Sequence, residues 1–566
     1  MKRPNVVFVM TDDQGYGDLG CTGNPWIKTP NIDRFYEKCV RLSDFHVSPL
    51  CTPTRGGIMS GCRPIRNGAW ATTFGRSLLR RDVVTMADVF AAGGYQTGMF
   101  GKWHLGDNYP YRPQDRGFQH VVAHKGGGVG QTPDFWGNKY FDDTYFHDGK
   151  PVPHEGYCTD IWFDEAMKWI RSRGEKPFFA YLATNAPHDP YLVAEKYALP
   201  YRDNPKIPEP AFYGMITNID ENMARLRQFL RQTGLEDNTI LIFMTDNGSS
   251  GGARTDDKQF ATRGYNAGMR GMKGSYYDGG HRVPFFIRWP AGGLTGGLDI
   301  DDLVLHIDLL PTFIDICGLP TPDGARFDGI SIAPLLRGDI DELPDRVTFV
   351  QYNQGTEAPQ KWTNAVMTKR WRLIRGKELY DIKADPGQEN DIAAEHPDVV
   401  ERLRKAHEDW WDEVAPDRMK HFPITIGSDQ ENPTRLDAFD FMSDDVAPMQ
   451  GQIRNAKRVA GSWCVDVEHD GTYEFRVQRW PVEADSPIRG ALADGGGTAI
   501  APTKVRLKIG GFEGEADIDA AAKSAVFRTQ LTAGETTLEA RFVDDDGTEY
   551  AAYYVYVERL HRSRDR

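Results

Sequence analysis

No stretch of the 566 residues comes near the run of about eighteen apolar residues that a membrane-spanning helix requires, so no membrane partner is expected. No secretory leader is expected either. Lys2 and Arg3 are followed by Pro4 and by only the short run NVVFVM before Asp12-Asp13, with no small-residue cleavage site. The sequence as given therefore reads as cytoplasmic. Cysteine is sparse: the seven, at positions 21, 39, 51, 62, 158, 317 and 464, are odd in number and contain no CxxC pair. That excludes a disulfide framework and a structural zinc site. Positive charge is in deficit, 67 basic against 81 acidic residues for a net −14, which argues against a nucleic-acid partner. An anionic substrate would need a local basic pocket set into this acidic envelope. Internal repeats and low-complexity tracts are absent. Core material is present in ordinary proportion, 40% hydrophobic against 26% charged residues, enough for one large domain and smaller companions.

Four short apolar runs end in polar clusters. NVVFVM (5–10) leads into TDDQGYGD, YQTGMF (95–100) into GKWHLG, PFFAYLA (177–183) into TNAPHDP, and TILIFM (239–244) into TDNG. Helical stretches lie between them, one running on from Asp220 to a capping Gly234. This alternation predicts an α/β fold, a large, mostly parallel sheet sandwiched by helices. In such sheets ligands sit outside the carboxyl ends of the strands, which puts all four polar clusters on one rim. We place this catalytic domain at residues 1–345. From 346 to 421, alternating segments and the charged helix PDVVERLRKAHEDWWDEV predict a small antiparallel sheet with one helix. Residues 436–566 read as an all-β sandwich. There Asp470-Gly471, flanked by alternating residues, signals a hairpin. Trp480, read as exposed, and the tyrosines of the last strand (550, 553, 554 and 556) form either a stacking platform or a core, the core being favoured.

Asp12-Asp13 and Asp246-Asn247 each follow a buried strand and offer three carboxylates and an amide oxygen on one rim. Such hard oxygen ligands suit Ca²⁺ or Mg²⁺. Adjacent carboxylates would repel one another without a cation. Either pair alone would more often be a helix cap or a turn. The segment CTPTR (51–55) by itself reads as a turn, with Pro53 opening a helix through GGIMSG.

CTPTRGGIMSG resembles the signature of the arylsulfatase-like, formylglycine-dependent sulfatases of the alkaline phosphatase superfamily. TDDQGYGDLG, GKWHLG, APHDP, TDNG and the Lys273 of MRGMKGSYYDGGHRVP match the same family in order. The resemblance covers roughly residues 4–420 and leaves out the final β region. It implies that a dedicated maturase oxidises Cys51 to formylglycine on the unfolded chain. One hydroxyl of the aldehyde hydrate then attacks sulfur, and the other loses its proton and expels sulfate. By the same resemblance Asp12, Asp13, Cys51, Asp246 and Asn247 bind the metal, Ca²⁺ foremost and Mg²⁺ second. Arg55 holds the hydrate, while Lys102 and Lys273 neutralise the sulfate oxygens. His104 takes the second hydroxyl's proton, and His188 bonds the leaving oxygen together with Lys273. The implied substrate is a sulfated small molecule or glycan, and a homo-oligomer stays open. Trp103 and Leu105 are expected to pack beneath the site.

Two other readings stand beside this one. A phosphonate or phosphate mono- or diester hydrolase of the same superfamily would share the sheet and the metal rim. A glycan-binding protein on a sulfatase scaffold would have lost catalysis. The long loop from His120 to Cys158 carries Phe135, Trp136, Tyr140, Tyr145, His147 and His154. It walls the leaving-group pocket with Arg254, Arg263 and Arg270, or it is a packed surface excursion. The glycines of KGGGVG (125–130) precede no helix and are discounted as a phosphate loop.

Overall fold

The computed structural model describes residues 3–418, 420–492 and 495–560. A ten-stranded sheet organises the first half of the chain. Its four central strands lie in the order Thr239–Thr245, Asn5–Thr11, Phe178–Ala183 and Gln96–Lys102, all parallel. These are the four apolar runs of the sequence, side by side, so their polar clusters do share one rim. The sheet is mixed toward its edges, where Phe285–Arg288 and the hairpin Thr144–His147/Lys150–Pro153 run antiparallel.

The period of two in the first strand explains why both faces are covered. Val6, Phe8 and Met10 point into one apolar layer with Ile58, Phe90 and Phe313 from helices Cys51–Ser60, Met86–Ala92 and Leu309–Cys317. Val7 and Val9 point into the other, against helices Cys158–Arg171 and Pro210–Gln232. A strand buried on both faces reads as a continuous apolar run, which is how these four appear. The helix expected after Asp220 starts earlier, at Pro210, and Gly234 follows it with φ 71°.

Four antiparallel strands between Thr348 and Asp381 form the second unit, and helix Pro397–Val414 covers them through Leu403. The C-terminal unit is a sandwich of a six-stranded and a four-stranded sheet. Strand pairing carries it back to Ile424–Ile426 and Thr434–Asp437, ahead of the expected start at residue 436.

Asp470-Gly471 is not a hairpin. Trp463–Val467 pairs within one sheet and Gly471–Gln478 within the other, so the chain crosses between sheets at this turn. Val465 and Val467 face Tyr473, Phe475 and Val477 across a common core. Alternation and a Gly turn are equally satisfied by two strands that oppose one another. A hairpin does form at Lys504–Ile509/Phe512–Asp517, turning at Gly510-Gly511. Trp480 is 2% exposed and donates its indole N–H to the Pro487 carbonyl, contrary to the surface expectation. The four tyrosines are buried. The described cysteines are all free thiols. Among the described residues no helix is long and apolar enough to cross a membrane.

Candidate active site

The residues expected to bind metal or to catalyse arrive at the same rim. Asp12 and Asp13 leave the end of Asn5–Thr11, and Asp246 and Asn247 leave the end of the neighbouring Thr239–Thr245. Their side chains interlock: the Asp13 amide donates to Asp246 Oδ1 at 3.0 Å, and the Asn247 amide nitrogen donates to Asp13 Oδ1 at 3.0 Å. Two oxygens are left over. Asp12 Oδ1 and Asn247 Oδ1 are buried without a hydrogen-bond partner. Burial, then the charge of Asp12, pushes the Asp246 acid up to about 7 despite Arg55. Asp13 behaves oppositely. Burial works against its charge, but His188, Lys273 and Lys102 outweigh it and hold the acid below the ordinary range.

Cys51 opens the helix Cys51–Ser60, two residues ahead of the expected start at Pro53, and is 2% exposed. Burial raises its thiol acid above the ordinary range, although Lys102 and Lys273 pull the other way. Ligand atoms of Asp12, Cys51 and Asp246 lie within 4.8 Å of one another. Arg55, one turn further along this helix, is fully buried. It donates to Asp246 Oδ2 at 2.7 Å and to the Lys102 carbonyl at 3.0 Å, tying helix, metal-type carboxylate and strand end together.

Lys102 ends the strand Gln96–Lys102, and its ammonium reaches Asp12 Oδ2 at 2.6 Å. The preceding Gly101 has φ 104°, and a side-chain carbon there would overlap the Ala183 carbonyl of the adjoining strand. Glycine is what lets the backbone twist at that point and aim Lys102 into the rim. Lys273 sits across the site, 2.7 Å from Asp13 Oδ2. Burial lowers its basicity, but Asp13 and its neighbours raise it above the ordinary range.

His104 is held in one tautomer. Its Nε2 is 2.8 Å from the Thr72 carbonyl, which can only accept, so Nε2 carries the proton. Nδ1 then presents a lone pair to Cys51 Sγ at 3.4 Å. Burial, then Lys102, holds the imidazole acid well below its ordinary value, so the ring is neutral. His188 donates from Nδ1 to the Asp189 carbonyl at 2.6 Å and turns Nε2 toward Asp13 Oδ2 at 3.7 Å. Trp103 and Leu105 are buried, as expected.

The wall drawn from the long loop fares differently. The Trp136 ring stacks edge-on against Trp480 of the sandwich at 5.4 Å, and His147 pairs with His154 at 2.8 Å. Arg263 donates to the carbonyls of Pro205 and Ile207, and Arg270 to those of Lys258 and Gln388. Arg254 turns back to the Ala253 carbonyl. These side chains serve scaffold contacts. Tyr140 does approach, donating to the His188 carbonyl at 3.2 Å.

Three participants escaped the sequence reading. The Thr72 carbonyl has no side-chain signal. Gly127, in the discounted glycine run, lies against the His104 ring, which a side-chain carbon would overlap. Phe439, whose ring centroid is 6.1 Å from that of His104, comes from the region read as the separate all-β sandwich.

The family model described as Sulfatase matches residues 4–319, and one described as N-sulphoglucosamine sulphohydrolase, C-terminal, matches 272–411. Human arylsulfatase A is 29% identical, the match spanning 71% of this chain and 82% of that one. The N-acetylgalactosamine-6-O-sulfatase of Bacteroides thetaiotaomicron is 28% identical over 71% of this chain and 92% of its own. Among solved structures, Ps i-CgsB in complex with k-i-k-neocarrahexaose aligns with a TM-score of 0.64 at 25% identity, covering 74% of this chain and 95% of that one. With more than half of its length matched by that first family model, this chain belongs to the sulfatase family, the hydrolases of sulfate esters.

Proposed function

We propose that this chain hydrolyses sulfate monoesters of aryl or carbohydrate alcohols, with residue 51 oxidised to formylglycine. A divalent cation, Ca²⁺ foremost and Mg²⁺ second, is held by Asp12, Asp13, Asp246, Asn247 and residue 51. The observation that carries this reading is the pair of stranded oxygens, Asp12 Oδ1 and Asn247 Oδ1, buried beside Asp246. A buried acceptor without a donor is costly, and a hard cation among all-oxygen ligands removes that cost. When bound, the cation supplies positive charge beside the nucleophile and the sulfuryl group, and the aldehyde hydrate supplies the attacking oxygen.

The rest falls to side chains already in place. Lys102 and Lys273 are anchored through Asp12 and Asp13, so two fixed ammonium groups stand where the sulfate oxygens gain charge. Neutral His104, its Nδ1 directed at residue 51, accepts the proton that is released there. His188 and Lys273 flank Asp13 and are the donors available to the leaving oxygen. Arg55 keeps Asp246 and the end of the Lys102 strand in register. A thiol 2% exposed is beyond the reach of another enzyme, which supports oxidation of Cys51 by a maturase before folding. Sulfated small molecules and glycans are the substrates that fit.

Protein made alongside a formylglycine-generating enzyme is expected to hydrolyse 4-nitrophenyl sulfate and to lose activity to EDTA. Its residue-51 peptide is expected about 18 Da lighter than the cysteine form. Turnover of a Cys51→Ala variant at the parent rate would discard the reading.

A further inference from the structure

Thr72, whose carbonyl fixes the His104 tautomer, is itself held at its two other polar groups. Its amide donates to Gln354 Oε1 at 3.2 Å, and Gln354 Nε2 donates to the Thr72 hydroxyl at 2.6 Å. A backbone N–H can only donate, so the Gln354 oxygen faces it and the side-chain NH₂ faces the hydroxyl. One side-chain amide thus grips two groups of a single residue 282 positions away in the sequence. The third group of Thr72, its carbonyl, accepts from His104 Nε2 at 2.8 Å.

Gln354 lies on the segment that follows strand Thr348–Gln351 of the second unit. That segment is braced from several sides. The Thr356 amide donates to Asp444 Oδ1 of the sandwich at 2.6 Å, and the Asn353 side chain donates to the Glu357 carbonyl at 3.0 Å. A side-chain carbon at Gly274, next to Lys273, would meet the Tyr352 ring at 3.3 Å. The Gly274 amide in turn donates to the Pro49 carbonyl at 2.9 Å, two residues ahead of Cys51. The segment therefore borders the rim from the Lys273 side to Thr72. Gln354 is exposed, and an exposed amide contributes little to stability, since water offers the same bonds. Two bonds to one residue still fix its orientation, and the 2.8 Å bond passes that orientation to His104.

We propose that Gln354 is a positioning residue for proton transfer: by clamping Thr72 it keeps His104 Nε2 protonated and Nδ1 open toward residue 51. The inference rests on the sulfate-ester reading above, in which His104 acts in the second step. There the proton passes from the second hydroxyl to Nδ1, the O–H electron pair closes the aldehyde C=O, and sulfate leaves with the pair of its C–O bond. A loosened clamp slows this step and leaves the earlier departure of the alcohol as it was. The bonds of Gln354 go to Thr72 and not to the reacting groups, so its part is to position.

Steady-state kinetics of the full-length, oxidised enzyme on 4-nitrophenyl sulfate test this. Gln354→Ala is expected to lower kcat about tenfold and KM in step, with kcat/KM within about twofold of the parent. The split follows because kcat/KM reports only the steps through alcohol release, whereas general damage to the site would lower it. Gln354→Glu, whose carboxylate can accept from both the amide and the hydroxyl of Thr72, is expected to recover most of the lost kcat. Gln354→Asn, one methylene too short, is expected to behave as the alanine variant. A kcat within about twofold of the parent for Gln354→Ala, kcat/KM falling together with kcat, or equal kcat for the glutamate and asparagine variants overturns the proposal. If the alanine variant fails to fold, the asparagine variant is read in its place. A parent inactive on this ester counts against the sulfate-ester reading itself, whereas an active parent indifferent to Gln354 overturns this inference alone.

Discussion

The Thr72 carbonyl does for His104 what a carboxylate does for many catalytic histidines: it determines which nitrogen carries the proton. Because burial and Lys102 disfavour the imidazolium, the ring stays neutral, and able to accept a proton, well below the pH at which a free histidine protonates. The acid limb that His104 contributes to the kcat profile for an aryl sulfate is therefore expected well below pH 6.5. A midpoint at or above that value would contradict the assignment. His104→Ala is expected to lower kcat by about 10²–10⁴-fold, read in steady-state assays. A second residue affects stability. Asp18 is fully buried; its Oδ2 accepts from the Gly15 amide at 2.8 Å while Oδ1 has no partner, and burial pushes its acid up to about 7. Between 3.8 and about 7 the unfolded chain has released this proton and the folded chain still holds it. The contribution of Asp18 to stability is thus present at low pH and falls as pH rises, by about 1.4 kcal/mol per pH unit. Asp18→Asn should remove that slope when denaturation midpoints are compared across the interval.

At the scale of elements, the four central strands were readable, though not their order in the sheet, because each is buried on both faces and carries its chemistry at its carboxyl end or within the next five residues. Less readable was how a strand end aims its side chain. Gly101, at φ 104° against the Ala183 carbonyl, lets Lys102 turn inward, and nothing in the alternation of YQTGMF announces it. Gly101→Ala is expected to destabilise the fold by about 2–4 kcal/mol, measured as a shift in denaturant midpoint. Unchanged stability would show that the strand end can relax. The turn at Asp470-Gly471 teaches the complementary lesson. Two alternating segments around a Gly turn specify inward faces, and whether they pair or oppose one another depends on which other strands are near.

For the whole molecule, the sandwich and the catalytic domain share a core. Leu78 and Tyr111 of the catalytic domain lie in the sandwich's apolar cluster, and the Tyr111 hydroxyl donates to the Pro423 carbonyl at 2.8 Å. Removal of residues 424–566 uncovers both and releases the loop that abuts His104. The truncated chain is expected to aggregate and to lose turnover even of small aryl sulfates, judged by size exclusion and steady-state assay. A soluble, fully active fragment would make the sandwich a detachable module. The gathering of Asp12, Asp13, Asp246 and Asn247 on one rim, the position of Cys51 near them and the sheet class were legible in the sequence, because a parallel sheet delivers strand ends to one rim. Tertiary structure alone decided the tautomer of His104, the retreat of Trp136 and Arg263 into the scaffold, and the presence of Phe439 beside His104. A carbonyl that accepts a hydrogen bond looks the same in every residue, and contacts between distant parts of the chain are set by packing, which local pattern does not encode.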